Sequence, residues 1–460
     1  MTTTARASNP LQDFQWAPQP KAEVLVHRLS AAFLSRSGFS RRLQKKLHDQ
    51  AGVRFVDLID TIHVAKNELS PADLKQAGFV HRPVEGAAEG YVQEHGIFPA
   101  IVLKSAGPMQ ADLKVESVAD FLSLWKISGS IEGAPLARLR RAAVAHSKDA
   151  ELWVVERHGY RGFEISDPSP HETVALLLHD EAFRRRRRKF RDTSEGFAHA
   201  HRLLEAAIAD LGVARATDLF FAAEREYWQR RNRAAQAQKA RQDKLGIGWA
   251  NHDHHTYRSS REHFAEMIAV FEKMGFHCRE RFYAGGQAGW GAQVLEQPEA
   301  GIVIFADVDL SPDELFEDFS HDGLAPRSDL GTVGLWCALH GEAFLESGMH
   351  HLECQFDFDA LKEQLESKEH VKVMKPFTNF PYLRQAFTEG EVWPVALDRI
   401  DHLLRAGRIT ETQAKQFREH GAIGSHLENL ERNQGFKGFN QTGVSEIIAR
   451  TDPRRQAAQH

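Results

Sequence analysis

In the second half of the chain, strand-like runs and stretches with helical spacing of apolar residues follow one another, and this order predicts the strands and helices. Residues 251–258, which include three histidines, are predicted to form a strand. Residues 261–276 instead carry an apolar stripe at helical spacing, formed by Phe264, Met267, Ile268, Phe271 and Met274. Strand-like runs follow at 277–284, 292–297 and 301–308, the first two separated by a glycine-rich turn. The pattern predicts a βαβββ unit.

A second, weaker copy of this pattern follows. Residues 348–357 again form a strand-like run that contains histidines, and residues 359–370 have helical spacing. A strand is predicted at 371–377, a helical insertion at 391–421 and a last strand at 444–450. We therefore expect two similar modules in tandem, each led by a strand that bears histidine.

The first half of the chain has a mixed pattern. Residues 1–20 predict a flexible lead-in, and 21–180 predict a mixed α/β region with a buried strand at 96–104. A strand, a tight turn and a second strand are predicted across 150–166. Residues 181–246 predict a basic helical segment whose last helix is long and ends near Gly246. The remaining span, 247–450, holds the tandem modules.

Composition and charge exclude several classes of protein. Of the 460 residues, 42% are hydrophobic and 26% are charged, and the formal net charge is -5, so global charge does not indicate nucleic-acid binding. The three cysteines are isolated, which fits a reducing, cytoplasmic environment and argues against a disulfide framework. No apolar run is long enough for a membrane span, and the N-terminus lacks a secretory apolar segment.

The densest positive run, at 181–192, has two interpretations. It could be a nucleic-acid patch or the solvated face of a helix. Acidic residues are interleaved nearby and no nucleic-acid motif accompanies the run, so the solvated face is favoured and nucleic acid is not expected as a partner.

Histidines suggest the chemistry of the tandem modules. A mononuclear Fe(II) oxygenase needs two neutral imidazoles and one carboxylate on one face of the metal. His254, His351 and Glu446 lie in predicted strands of the modules and could converge on such a centre. Alternation places His254 and His255 on opposite faces, and likewise His350 and His351, so the ligand within each pair stays open.

These short motifs resemble a known family. "HHTYR" gives His254 and Arg258 ahead of a helix ending in Met-Gly, "HHLECQ" gives His351-Leu352, and "VSEIIAR" gives Glu446-Ile447. In this order, across 247–450, they resemble the 2-oxoadipate dioxygenase/decarboxylase family, also called hydroxyglutarate synthase, among the vicinal-oxygen-chelate-like metalloenzymes.

The resemblance implies a fold, a cofactor and a reaction. It implies an α+β protein whose tandem βαβββ modules form a curved sheet around a metal, with a largely helical N-terminal region packed against it. It implies Fe(II) bound by His254, His351 and Glu446, and a small 2-oxo acid that reacts with O₂ to give a 2-hydroxy acid. Arg258 is the candidate catalytic residue that binds a substrate carboxylate, because a guanidinium matches a carboxylate with two hydrogen bonds; the alternative is that Arg258 forms a surface ion pair. Gln355 stands where the family has an arginine, as a further substrate contact.

Two alternatives remain open at this point. The same fold could hold Zn, Ni or Mn and act as an isomerase, lyase or ring-cleaving dioxygenase. The modules could also bind a ligand without catalysis, with the basic segment contacting a macromolecule. Motifs of other enzyme classes are absent, because "GGQAGWG" lacks a P-loop lysine and the chain contains neither G-x-S-x-G nor H-E-x-x-H. The sequence predicts no oligomeric state.

Overall fold

The computed structural model describes residues 16–441 and 452–454, which form two β-sheets and an intervening group of helices. The N-terminal elements are α1 (Pro20–Arg36), α2 (Gly38–Ala51), β1 (Ile59–Ala65), α3 (Pro71–Gln76), β2 (Val80–His81), β3 (Gly90–Val92), β4 (Ala100–Lys104), β5 (Met109–Lys114), α4 (Val118–Trp125), β6 (Leu139–His146) and β7 (Ala150–Arg157). The first sheet is built entirely from these strands.

This first sheet has seven strands in the order β2-β3-β4-β1-β5-β7-β6. Its central pairings are mixed, since β1 runs parallel to β4 and antiparallel to β5. The N-terminal region is therefore mixed α/β, with more sheet than the expected largely helical region. The strand expected after the turn at His158–Gly159 does not form, and β7 instead makes a hairpin with the preceding β6.

The helices that follow are α5 (Pro170–Arg184), α6 (Thr193–Leu211), α7 (Val213–Gln229) and α8 (Arg233–Asp243). The single long helix expected to end near Gly246 is two helices. They separate at Asn232, whose side chain accepts a hydrogen bond from the Ala235 amide at 2.8 Å and so caps α8.

The arginine run beside α5 is partly internal. Arg184, Arg185 and Arg187 are exposed, as a solvated face requires. Arg186 and Arg188 instead form ion pairs with Glu224 of α7, whose side chain is fully buried. Part of this basic run therefore joins α7 to the segment before α6, so the interpretation as a purely solvated face is corrected.

The tandem modules form the second sheet. Module one comprises β8 (His252–Arg258), α9 (Phe264–Lys273), β9 (His277–Tyr283), β10 (Trp290–Gln297) and β11 (Ile302–Asp309). A connecting helix, α10 (Thr332–His340), leads to module two, which comprises β12 (His351–Gln355), α11 (Phe358–Lys368), β13 (Thr378–Phe380), β14 (Leu383–Phe387), β15 (Glu391–Trp393), α12 (Leu397–Arg405), α13 (Glu411–His420) and β16 (Ala422–Arg432).

The two modules are joined through their first strands. The main path of the sheet runs β13-β14-β16-β12-β8-β11-β10-β9, and β15 pairs with β16. At its centre β8 and β12 are antiparallel, while β11 runs parallel to β8 and β16 runs parallel to β12. This arrangement confirms the expected α+β class and the tandem βαβββ modules.

Two strands of module two differ from the sequence prediction. Residues 371–377 contribute only an isolated bridge between Val373 and Thr388, and the expected strand begins later, at Thr378. The long strand β16 directly follows the helical insertion and was not predicted. It is buried along most of its length on both faces, so it lacks a clear alternation of polar and apolar residues. The strand expected at 444–450 lies outside the described residues.

A continuous hydrophobic core joins the helices to the tandem sheet. The predicted apolar stripe of α9 and the residue after it is fully buried in this core. Phe220 and Phe221 of α7 also pack in it, and Phe221 contacts His255 of β8 with ring centroids 5.1 Å apart. In the described part of the chain, no helix is long and apolar enough to cross a membrane.

Candidate metal centre

The tandem sheet curves around a small cavity of about 50 Å³. Phe282 of β9 and Phe387 of β14, which belong to opposite halves of the sheet, both line it. The aromatic wall is completed by Trp290, Phe305, Phe377 and Phe439, and the remaining lining residues are polar. A buried polar group surrounded by aromatic rings must find its partners locally, which makes the polar contents of this cavity informative.

Alternation along the two central strands decides which histidines enter the cavity. His254 of β8 and His351 of β12 line it. His255 turns to the opposite face against Phe221, and the His350 Nδ1 lies 3.0 Å from the Gly424 carbonyl oxygen. The structure thus places the two proposed ligands together and their neighbours elsewhere.

Two carboxylates share the cavity with these histidines. In the strand register, Glu353 of β12 pairs with His254 of β8 on one side and with Glu428 of β16 on the other. The three residues therefore form a row across adjacent strands, and His351 lies two positions before Glu353 on the same face. Glu446, the carboxylate expected from the sequence, lies outside the described residues.

The distances within the group are short. The Oε1 atom of Glu353 lies 2.8 Å from His254 Nε2 and 2.7 Å from His351 Nε2. Glu428 Oε2 lies 3.7 Å from His351 Nε2. Adjacent ligand atoms bound at about 2.1 Å to one octahedral ion lie about 3 Å apart, so this spacing suits a metal ion.

The compact set of possible ligand atoms belongs to His351, Glu353 and Glu428, which all lie within 4.8 Å of one another. His254 joins this set through Glu353, whose Oε1 atom lies between the two imidazoles. Either Glu353 is itself a ligand or it moves aside when both histidines bind one ion.

Asp253 fixes the orientation of His254. Its Oδ1 atom is 2.9 Å from His254 Nδ1, and Arg432 donates to both carboxylate oxygens, at 2.9 and 3.0 Å. A proton on Nδ1 shared with a carboxylate leaves the Nε2 lone pair free to face the cavity. This is the support that metal-binding histidines usually have.

Burial favours the uncharged forms of the two histidines and two carboxylates that line the cavity. It lowers the pKa of His254 to about 4 and that of His351 well below its usual range. It raises the pKa of Glu428 to about 8, and burial together with the Glu428 charge raises the pKa of Glu353 well above its usual range. A divalent cation would stabilise both ionised carboxylates against neutral imidazoles, which is the protonation state that metal binding needs.

Unsatisfied polar atoms also point to a missing partner. Among the described residues, the buried Glu353 Oε2 and His351 Nδ1 have no hydrogen-bond partner. Buried polar groups are rarely left unpaired, and a carboxylate oxygen in an aromatic cavity can be satisfied by a metal ion. The donor set and these orphaned atoms therefore fit a bound divalent metal.

Arg258 lies farther along β8 on the same wall of the cavity. Its Nε is 3.4 Å from Asp307 Oδ2, and its guanidinium lies over the Trp336 ring. Burial raises the pKa of Asp307 to about 7 even though the Arg258 charge opposes that change, and Asp307 Oδ1 has no partner in the described structure. Because the contact between Arg258 and Asp307 is as long as 3.4 Å, the Arg258 guanidinium is available to a ligand anion.

Gln355 lies outside this cavity. Its amide donates to Asp253 Oδ2 at 2.7 Å, and it lines a larger cleft behind the metal group. The register between β12 and β8 shifts between Glu353 and Cys354, so the alternation that points His351 and Glu353 inward does not extend to Gln355. Its contact with the metal group is indirect, through Asp253.

The sequence analysis missed both described carboxylates, although a signal was present. The triplet His-Leu-Glu occurs at 351–353 and again at 426–428. These triplets lie side by side in β12 and β16, with Glu353 opposite Glu428. A repeated triplet in two strands of one module would have indicated a pair of inward-facing carboxylates.

Comparisons with known proteins give no family. No protein-family model matches the chain, and no curated protein matches it significantly. Among solved structures, a mutant of 4-hydroxymandelate synthase from Streptomyces coelicolor is 13% identical, covers 88% of this chain and 98% of its own, and has a TM-score of 0.25. Methylmalonyl-CoA epimerase from Mycobacterium tuberculosis is 14% identical, covers 40% of this chain and 89% of its own, and has a TM-score of 0.24. Similarity this low assigns no function.

Proposed function

We propose that the chain is a metal-dependent oxygenase that uses Fe(II) and O₂ to decarboxylate a small 2-oxo acid. The observation that carries the proposal is the convergence of His254, His351 and Glu428 on one aromatic cavity from β8, β12 and β16. Two imidazoles and a carboxylate, with positions left open, are the ligands that non-haem Fe(II) oxygenases use. The resemblance to the 2-oxoadipate dioxygenase/decarboxylase family supports the same reaction class.

The bound metal would supply Lewis acidity and the electrons that activate O₂. In the reaction, the bond between the substrate carboxylate and its keto carbon breaks and carbon dioxide leaves. One oxygen atom of O₂ completes a new carboxylate at the former keto carbon. The other forms a hydroxyl on the next carbon, so the product is a 2-hydroxy acid one carbon shorter.

The protein's own residues bind and shield the substrate. Arg258 would bind the remote carboxylate of the substrate, because a guanidinium pairs with a carboxylate through two hydrogen bonds and its present partner is 3.4 Å away. Asp307 orients that guanidinium. The aromatic rings of the wall exclude bulk water, which strengthens every charge interaction inside.

The size of the cavity restricts the substrate. One water needs about 10–15 Å³ of cavity volume, so a cavity of about 50 Å³ has room for a few water-sized groups and favours a small compound. Phe439 and Asn440, which follow the last described strand, form part of its wall. We expect short 2-oxo acids with a second carboxylate, such as 2-oxoadipate, to be the best substrates.

One observation favours a second candidate on the same fold. Glu353 contacts both histidines and would be a fourth protein ligand if it stays in place. Four protein ligands leave fewer open positions for a chelating substrate and O₂, and suit a Zn, Ni or Mn enzyme that moves a proton, such as an isomerase or lyase.

The test is metal analysis of protein purified without oxygen, followed by oxygen uptake with 2-oxo acids of increasing length. We expect one iron per chain, uptake that depends on the 2-oxo acid, and release of carbon dioxide. The His254→Ala, His351→Ala and Glu428→Gln variants should lose the metal.

Glu353→Gln is the matched variant that separates the candidates. A variant that keeps iron and oxygen uptake indicates that Glu353 is not a required ligand. If wild-type protein instead holds Zn, Ni or Mn and consumes no oxygen, the second candidate replaces the first. Full metal occupancy in all three ligand variants would refute both.

A further inference from the structure

A second, larger cleft separates the N-terminal sheet from the tandem sheet. It comprises a space of about 730 Å³ and an adjoining one of about 200 Å³, and Lys114 and Arg161 line both. Lys114 is the last residue of β5, and Arg161 lies in the loop after β7. His252 at the start of β8 forms part of the opposite wall. The cleft lies behind the metal cavity and is distinct from it.

Most carboxylates in the smaller space already have a cationic partner. Arg157 binds Asp60 through its Nε and Nη2 atoms, at 3.0 and 2.9 Å from Asp60 Oδ2. Lys239 lies 2.8 Å from Glu116 Oε2, and Arg215 Nη1 lies 3.7 Å from Asp218 Oδ2. Glu299, at the exposed edge, is the remaining carboxylate of this space.

Three cations in the same space have no carboxylate within 4 Å among the described residues. The half-buried Lys114 ammonium has no described hydrogen-bond partner at all. Arg161 donates only its Nε, to the Pro298 carbonyl oxygen at 3.1 Å. Within the described structure, the polar contact of Arg225 is with the His255 ring, whose Nε2 lies 3.3 Å from Arg225 Nη1. The space is lined by four cations and four carboxylates, but three of these carboxylates are paired with other cations, which leaves Lys114, Arg161 and Arg225 without a carboxylate partner in the described part of the chain.

We propose that this cleft is a second ligand site, and that it binds a small multivalent anion bearing phosphate or carboxylate groups through Lys114, Arg161 and Arg225. Lys114 and Arg225 are half-buried and Arg161 is exposed, so all three can reach an anion in the cleft, and an anion gains charge-assisted hydrogen bonds from cations that have no carboxylate partner. Burial and the nearby Arg161 charge lower the pKa of Lys114, although the charges of Asp60, Asp57 and Asp253 oppose the change.

The backbone makes room for one of these cations. A Cβ atom built on Gly301 would lie 2.1 Å from Arg161 Nη2, so any other residue there would displace the guanidinium. Gly301 also has a φ of +67°, which glycine adopts without strain. Arg161 is thus held between its own loop and the turn before β11, with its terminal nitrogens on the cleft.

The test is isothermal titration calorimetry of the full chain with inorganic phosphate and with citrate, at millimolar concentration. We expect at least one to bind, and Lys114→Met to weaken binding about tenfold or more, as loss of a charge-assisted hydrogen bond does. Tighter binding of phosphate identifies a phosphoryl ligand, and tighter binding of citrate a polycarboxylate.

Two control variants make the result specific. Lys148→Met removes an exposed lysine from the turn between β6 and β7 and should bind the anion like wild type. His254→Ala should also retain anion binding, which separates this site from the metal centre. Lys114→Met should melt no lower than wild type without ligand, because its ammonium has no partner to lose.

Three results would overturn the proposal. The first is that neither anion binds the wild-type chain. The second is that Lys114→Met binds the anion as tightly as wild type. The third is that Lys148→Met loses as much affinity as Lys114→Met, which would indicate a general effect of charge.

Discussion

The salt bridge behind the metal group should support both the stability of the protein and its affinity for metal. Asp253 accepts from Arg432 and contacts His254 Nδ1, so replacing it by asparagine perturbs both partners with little change of shape. Burial alone would raise the pKa of Asp253, but the Arg432 charge and the His254 hydrogen bond outweigh it and keep the carboxylate ionised.

The magnitude of each effect follows from burial. The side chains of Asp253 and Arg432 are 5% and 3% exposed, so Asp253→Asn leaves a buried guanidinium without a counter-charge. We expect a loss of about 3–5 kcal/mol in the free energy of unfolding. The histidine also loses a charged partner, and such outer contacts contribute about tenfold to hundredfold in metal affinity, or about 1.4–2.8 kcal/mol.

A double variant separates these effects. Asp253→Asn with Arg432→Gln removes both charges, and the glutamine can still donate to the Phe436 or Gly438 carbonyl that Arg432 contacts. Urea unfolding should show that most of the stability returns, while competition with a metal-binding dye should show that affinity stays low. If affinity returns together with stability, the first loss was only unfolding, and the assigned role of Asp253 is wrong.

Two further predictions concern buried charges. Glu224→Gln leaves Arg186 and Arg188 without their shared carboxylate and should lower the free energy of unfolding in urea by about 3–5 kcal/mol. Glu226→Gln, at a half-buried position of the same helix, should lower it far less. Equal losses in the two variants would refute the structural role assigned to Glu224. Asp307 has a folded pKa of about 7 against about 4 in the unfolded chain, so the native state retains a proton that the unfolded state releases, and stability falls as pH rises through this window. Asp307→Asn should therefore lose about 2 kcal/mol less stability than wild type between pH 5 and 7, and an unchanged slope would contradict it.

Local sequence patterns were sufficient to predict the tandem modules. The apolar stripe of α9, and the strands on either side of it, follow from hydrophobic period alone, because each element buries one face against the same core. The same period places His254 and His255 on opposite faces of β8. It cannot say which face encloses a cavity, since that depends on which strands lie alongside.

The carboxylates needed the tertiary structure. Glu353 and Glu428 are 75 positions apart in the chain and become neighbours only because β16 pairs with β12 in parallel register. Strand β16 has buried polar side chains such as Ser425, Glu428 and Asn429, so the usual contrast between a polar and an apolar face is absent.

The sequence by itself therefore determined the modules and the two histidine pairs, because period and residue type are local properties of the chain. Only the tertiary structure decided which carboxylates join those histidines and where unpaired cations gather. The physical reason is that strand pairing and the packing of one sheet on another set the partners of a buried charge. Lys114 shows this most clearly: its position in the sequence is ordinary, and only the cleft between the sheets leaves it without a partner.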